Sequence, residues 1–186
     1  MAFKFLKKAV GSVKGGVSGA LKGAADMGSA AITAVKDVTA TTLKESGEVV
    51  SAGVDGAASI AKGAFEGVSE MGTATVDAVK GVVSGTVQGY KAAGADHDHA
   101  VRGAVGQAVH EAKGLGLEVG ETAVAAVKGA VHGVEQVGGD TMGAMKTAVR
   151  AAYDAAKEIG GDAVEGVSSA LKAGVDGAKD VIDEIK

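Results

Sequence analysis

The chain has 186 residues, a formal net charge of −4, three Phe, two Tyr, and neither Trp, Cys nor Pro. Without cysteine there is no disulfide or thiolate chemistry, and an acidic balance with two Tyr for stacking speaks against nucleic-acid binding. Charges recur every few residues, so no run approaches the roughly 20 apolar residues of a membrane span.

The first segment, residues 1–9, carries Lys4, Lys7 and Lys8 beside Phe3, Phe5 and Leu6. Five lysines and no acid precede Asp26. This is the composition of an anchor for anionic lipid, with the aromatic rings as interfacial wedges. No apolar central region with a cleavage site follows, so the segment does not read as a secretory signal. Location is otherwise unreadable, and a peripheral membrane, a lipid droplet or an extracellular or viral assembly would each suit it.

From residue 10 onward one register of 22 residues runs through the chain. Leu21, Leu43, Phe65, Val87, Val109, Val131, Tyr153 and Val175 stand 22 apart, and all are apolar. Such self-similarity decides architecture before any local reading does. Each unit splits into two elevens, with apolar residues at steps of three, four and four. In Val76, Val79, Val83, Val87 and Tyr90 this spacing keeps the side chains within roughly 80° on a helical wheel, where a strand would alternate.

Read in chain order, this apolar stripe comprises Val10, Val13, Val17 and Leu21, then Val54 and Phe65, then the Val76 to Tyr90 set. It continues through Val127 and Val131, then Met142, Met145, Val149 and Tyr153, and ends with Val164, Val167, Leu171 and Val175. Beside it lie a polar stripe (Asp77, Lys80, Ser84, Gln88) and a nearly bare one (Ala78, Gly81, Gly85, Gly89). The predicted fold is all-α: eight tandem 22-residue Gly/Ala/Val-rich amphipathic repeats, forming either long helices or a helical array broken at recurrent glycines.

Gly28, Gly72, Gly94, Gly116, Gly138 and Gly160 recur in that frame, several of them followed by Ser, Thr or Asp. A helix that ends on a left-handed glycine and restarts on a capping side chain reads this way. A continuous helix whose glycines admit a close neighbour reads the same. Repeats one to four fill residues 10–95 and repeats five to eight fill 100–186, with a polar break at 96–99. There Asp98 takes an apolar position, which suggests a hairpin apex. His97 and His99, flanked by Asp96 and Asp98, are weak candidate metal ligands, because consecutive residues without a second cluster make a poor site. The formal charge is +2 for residues 1–93 (ten lysines, eight acids) and −6 for 94–186 (nine basic residues, fifteen acids), so the halves differ in sign.

Catalysis finds no support. Asp and Glu recur with the repeat and do not converge, and no phosphate loop is present. No cofactor and no small-molecule substrate are expected. Inside isolated helices the 31 glycines would each cost about 0.5–1 kcal/mol relative to Ala. A partner must therefore complete the helices, either a lipid surface or copies of the chain, with a homo-oligomer expected.

The segments AKGAFEGVSEMG (61–72), VKGVVSGTVQGYKAAG (79–94), VKGAVHGVEQVGG (127–139) and ALKAGVDGAKDV (170–181) resemble the 11-residue repeats of perilipins and synucleins. That resemblance implies a non-enzymatic protein that coats membranes or lipid droplets by coupled folding and binding. The alternative from the residues themselves is a self-assembling bundle, tube or filament packed through its Gly/Ala faces. A desiccation or stress protectant is a second alternative, since late-embryogenesis proteins share the eleven-residue period.

Overall fold

In a computed structural model the described residues are 2–22, 26–46, 53–72 and 74–186, the side chains of 2–9, 27 and 46 excepted. Among them are nine helices and no strand: α1 (Ala2–Leu21), α2 (Met27–Ser46), α3 (Val54–Glu70), α4 (Val76–Ala92), α5 (His97–Glu111), α6 (Val119–Gln136), α7 (Thr141–Ile159), α8 (Ala163–Gly174) and α9 (Ala178–Ile185).

Local chemistry sets the helix ends. The Asp26 carboxylate accepts from the amides of Gly28 and Ser29 at 3.1 and 3.3 Å. Thr75, Asp96 and Asp140 cap α4, α5 and α7 in the same manner, each accepting from an amide two or three residues on. These bonds satisfy amides that a helix start leaves without partners. At the other ends, Gly72, Gly94, Gly116, Gly138 and Gly160 take φ between 66° and 80°. After α4 the Ala95 amide donates to the Tyr90 carbonyl and Gly94 donates to Lys91. This pairing stops a helix and reverses the chain.

Gly28 behaves differently from the other recurrent glycines. It lies in the first turn of α2, past the Asp26 cap, and does not have positive φ. The expected break at Gly28 is thus corrected: the helix restarts one residue before it. At the polar tetrapeptide a break does separate α4 from α5, but it ends at the Asp96 cap, and His97 to His99 begin α5.

The helices stack in two layers. Each helix packs mainly on the one two places along, α1 on α3 on α5 on α7 in one layer and α2 on α4 on α6 on α8 in the other, with α2 against α4 the most extensive contact. Apart from α2 and α3, consecutive helices from α1 to α8 touch across the layers, and the short α9 lies over α7 and α8. The core runs between the layers and is filled by Val and Ala, with Phe65, Ile60 and Tyr90 the bulkier members.

Glycine makes the same-layer packing close. A methyl group placed on Gly63 of α3 would stand 2.5 Å from the Val10 carbonyl oxygen of α1. On Gly81 of α4 it would stand 2.6 Å from Gly28 of α2, and on Gly129 of α6 it would stand 2.5 Å from Lys80 of α4. Gly103 of α5 meets Val54 of α3 in the same way. Any side chain there would push the helices apart, so the bare stripe is where one helix seats on the backbone of another.

Candidate functional site

The apolar stripe is turned inward. Val13, Val17, Leu21, Phe65, Val79, Val83, Val87, Tyr90, Val127, Met145, Val149, Tyr153, Val167 and Leu171 are buried, and Val10, Val131, Val164 and Val175 are half-buried. The expectation that this ridge faces lipid or another molecule is corrected by that burial. The helices of the opposite layer cover it, because folding back at each glycine brings a second stripe within reach at no cost in assembly entropy. Val54, Val76 and Met142 are the exceptions, at 37%, 36% and 59% exposure. The side chains of Phe3, Lys4, Phe5, Leu6, Lys7 and Lys8 lie outside the described part.

Tyr90 ties two helices together. Its hydroxyl donates to the Gly53 carbonyl at 3.2 Å, at the start of α3, and burial holds its pKa well above the ordinary phenol value. Ion pairs join other neighbours. Lys14 of α1 meets Glu70 of α3 at 2.6 Å, and the hydrogen bond to that carboxylate raises the lysine's pKa. Lys172 of α8 meets Asp183 of α9 at 2.6 Å, and this bond lowers the carboxyl's pKa. All are exposed pairs that fix register more than they stabilise.

No three His, Asp or Glu side chains among the described residues are grouped to hold a metal ion, His97 and His99 included. A groove of about 600 Å³ runs between the outer faces of α3, α5 and α7, lined by Arg102, His110, Arg150, Asp154 and Glu158 among others. His110 meets Glu158 at 2.8 Å and Arg150 meets Glu184 at 3.6 Å.

What stands out lies at the end of the stack. Gly15 and Gly19 of α1 occur three units before Gly81 and Gly85 in the 22-residue frame. Where Gly81 and Gly85 press on α2, an added methyl on Gly15 or Gly19 would meet no described atom within 4 Å. Asp37 and Thr41 of α2, 22 residues further along the chain, are exposed and polar. Sequence reading recognised the bare stripe at Gly81 to Gly89 but not its extension to α1, although the frame would have found it.

No described helix is long and apolar enough to cross a membrane. No protein-family model, curated protein or solved structure matches this chain.

Proposed function

We propose that the protein is a non-enzymatic structural protein, a chain of eight tandem 22-residue helical units that joins further copies of itself through the ends of its helix stack. The observation that carries this reading is the uncovered face of α1 at Gly15 and Gly19, set against Gly63, Gly81, Gly85, Gly103 and Gly129, each pressed on a neighbouring helix. A face shaped for close helix approach, left without a helix, suits a second copy continuing the same packing. Charge favours a head-to-tail arrangement. Five lysines and no acid precede Asp26, whereas Asp176, Asp180, Asp183 and Glu184 crowd the last eleven residues. A head-to-tail contact repeats from copy to copy, building a ring where its rotation closes and an open filament where it does not.

Sedimentation velocity over a range of protein and salt concentrations tests this. Association that grows with concentration and weakens with salt is expected, since opposed surface charges are screened. The double variant Gly15→Leu/Gly19→Leu should be monomeric and fully helical, while Gly106→Leu, also open to solvent, should associate like the parent. A parent that stays monomeric throughout, or a double variant that still associates, would overturn the reading.

Lipid-surface adhesion remains a second reading, favoured by the lysine-rich, acid-free stretch that includes α1. It is the function that the perilipin and synuclein resemblance implies. Because the helices find apolar partners within the chain, strong helicity without lipid is expected, and adhesion would act through α1 alone unless the layers part. Flotation with anionic and with neutral vesicles distinguishes the cases: binding to anionic vesicles that is lost on Lys7→Glu/Lys8→Glu supports it, and no flotation sinks it.

A further inference from the structure

We infer that the end of the chain is a strap with two positions: bent, as found, with α9 on α7, or straight, with residues 163–185 running as one helix along α6. Bent, it leaves open a groove of about 550 Å³ beside α6, lined by Val127, Lys128, Val131, Met142 and Val175 among others. The chain's own spacing says what fits there. Gly133 of α6 seats on α4 so closely that a β-carbon on it would stand 3.0 Å from the Ser84 carbonyl oxygen and 3.0 Å from the Val87 β-carbon. Lys128 and Val131 stand 44 residues after Ser84 and Val87, and Gly177 stands 44 after Gly133. Gly67 and Gly89, at the same place in the 22-residue spacing, likewise press on α1 and α2 from inside unbroken helices. Gly177 instead lies in the bend with φ 81°, and the matching seat on α6 is left uncovered. In the series at 22-residue steps from Leu21 to Val175, every member is buried except Val131 and Val175, which are half-buried. Both line this groove.

The bend is held by contacts that the straight form gives up. Lys172 reaches Asp183 at 2.6 Å and Arg150 reaches Glu184 at 3.6 Å, while α9 buries Ala178, Val181 and Ile182. One helix would set Lys172 and Asp183 about 16 Å apart along its axis, so that pair exists only in the bend. The straight form has the residue pattern on its side. Val167, Leu171, Val175, Ala178 and Ile182 follow at steps of four, four, three and four, which is one helical face. Ile182 stands where Gly94, Gly116, Gly138 and Gly160 end the earlier helices with positive φ, so the usual stop is missing from the last stretch. Ala178 and Ile182 are apolar contacts in either position, and little burial is lost in passing between the two. The strap is independent of the end-to-end assembly proposed above, since neither position uses α1.

Pulsed electron-spin distances between labels on Glu165→Cys and Lys186→Cys test the strap in the full chain, which has no cysteine of its own. Both positions are exposed. One straight helix would hold them about 31 Å apart, and the bend, which returns Asp183 to Lys172, holds them closer. The labelled parent should show both distances. Asp176→Pro should remove the long one, because proline breaks a helix and Val175, at φ −129° and ψ 119°, already has the extended conformation that precedes a proline. Lys172→Glu should raise the share of the long distance by about two- to fivefold, the worth of an exposed pair. Amides of 127–131 should exchange more slowly in Lys172→Glu than in Asp176→Pro, which reads the covering of the groove directly. A short distance alone, in the parent and in Lys172→Glu alike, would overturn the proposal. So would a long distance without slower exchange at 127–131, because α9 would then leave α7 without seating on α6.

Discussion

Gly85 of α4 sits against Ile32 of α2 so closely that a β-carbon on it would stand 2.7 Å from the Ile32 carbonyl oxygen and 2.8 Å from the Val35 β-carbon. Backbone cannot give way as a side-chain tip does. Gly85→Ala should therefore destabilise the fold by about 1–3 kcal/mol, the usual cost of overpacking. Gly15→Ala meets nothing and should stabilise the isolated chain by about 0.5–1 kcal/mol through helix propensity. Urea unfolding of the two variants should move the midpoint in opposite directions, and a common direction would contradict the packing described.

Thr39 stands 22 residues after Val17, at an apolar position of the stripe, and it is fully buried with a hydroxyl that finds no hydrogen-bond partner. Leaving a donor unsatisfied in an apolar setting costs about 1–3 kcal/mol. Thr39→Val keeps the shape and removes that burden, so its thermal midpoint should rise. A fall would show that the hydroxyl is satisfied by an ordered water.

Tyr90 sets an alkaline limit. Burial makes the folded state hold the phenolic proton more tightly than the unfolded chain does. Its contribution is fully present below the ordinary tyrosine pKa of about 10 and is lost as pH rises beyond it. Tyrosinate absorbance for this residue should appear only together with loss of helicity. Tyr90→Phe should lower stability at neutral pH by about 1 kcal/mol, from the hydrogen bond to Gly53, and should reduce the alkaline sensitivity.

The docking of α9 should loosen in acid. Lys172 lowers the pKa of Asp183, so this pair contributes above the ordinary aspartate pKa of about 3.9 and the contribution fades as pH falls through the lowered value. Amides of α9 should exchange faster below that point, and Asp183→Asn should show the faster exchange already at neutral pH. Exchange that does not change with the variant would mean that Val181 and Ile182 hold α9 by burial alone.

Gly94 ends α4 with φ 80°, where a β-carbon is opposed by the adjacent carbonyl. Gly94→Ala should cost about 1–2 kcal/mol, and Gly94→Asn less, because asparagine tolerates this conformation. Equal losses in denaturant titrations would argue that the turn relaxes.

How much of this was legible in the residues differs from element to element. The steps of three and four from Val76 to Tyr90 announce a helix because only that spacing puts five apolar side chains on one face, and α4 is found there. The left-handed glycines after α3 to α7 were legible as one of two readings, and the flanking caps at Thr75, Asp96 and Asp140 decided between them. At Gly28 the break reading fails, because Asp26 two residues upstream caps a helix that starts before it, and such a cap cannot be told from a break without its hydrogen bonds. The bare stripe at Gly81, Gly85 and Gly89 announced a close neighbour but not whose.

That last gap marks the boundary between sequence and tertiary structure. By itself the chain determined helices and their apolar and bare faces. Which surface covers the valine ridge was decided only when the chain folded back on itself. Hydrophobic burial has no direction and is satisfied equally by lipid, by a sister molecule or by the next helix. Turns of a few residues keep that next helix always at hand, and so it takes the ridge first, leaving for any outside partner only the ends of the stack and its grooves.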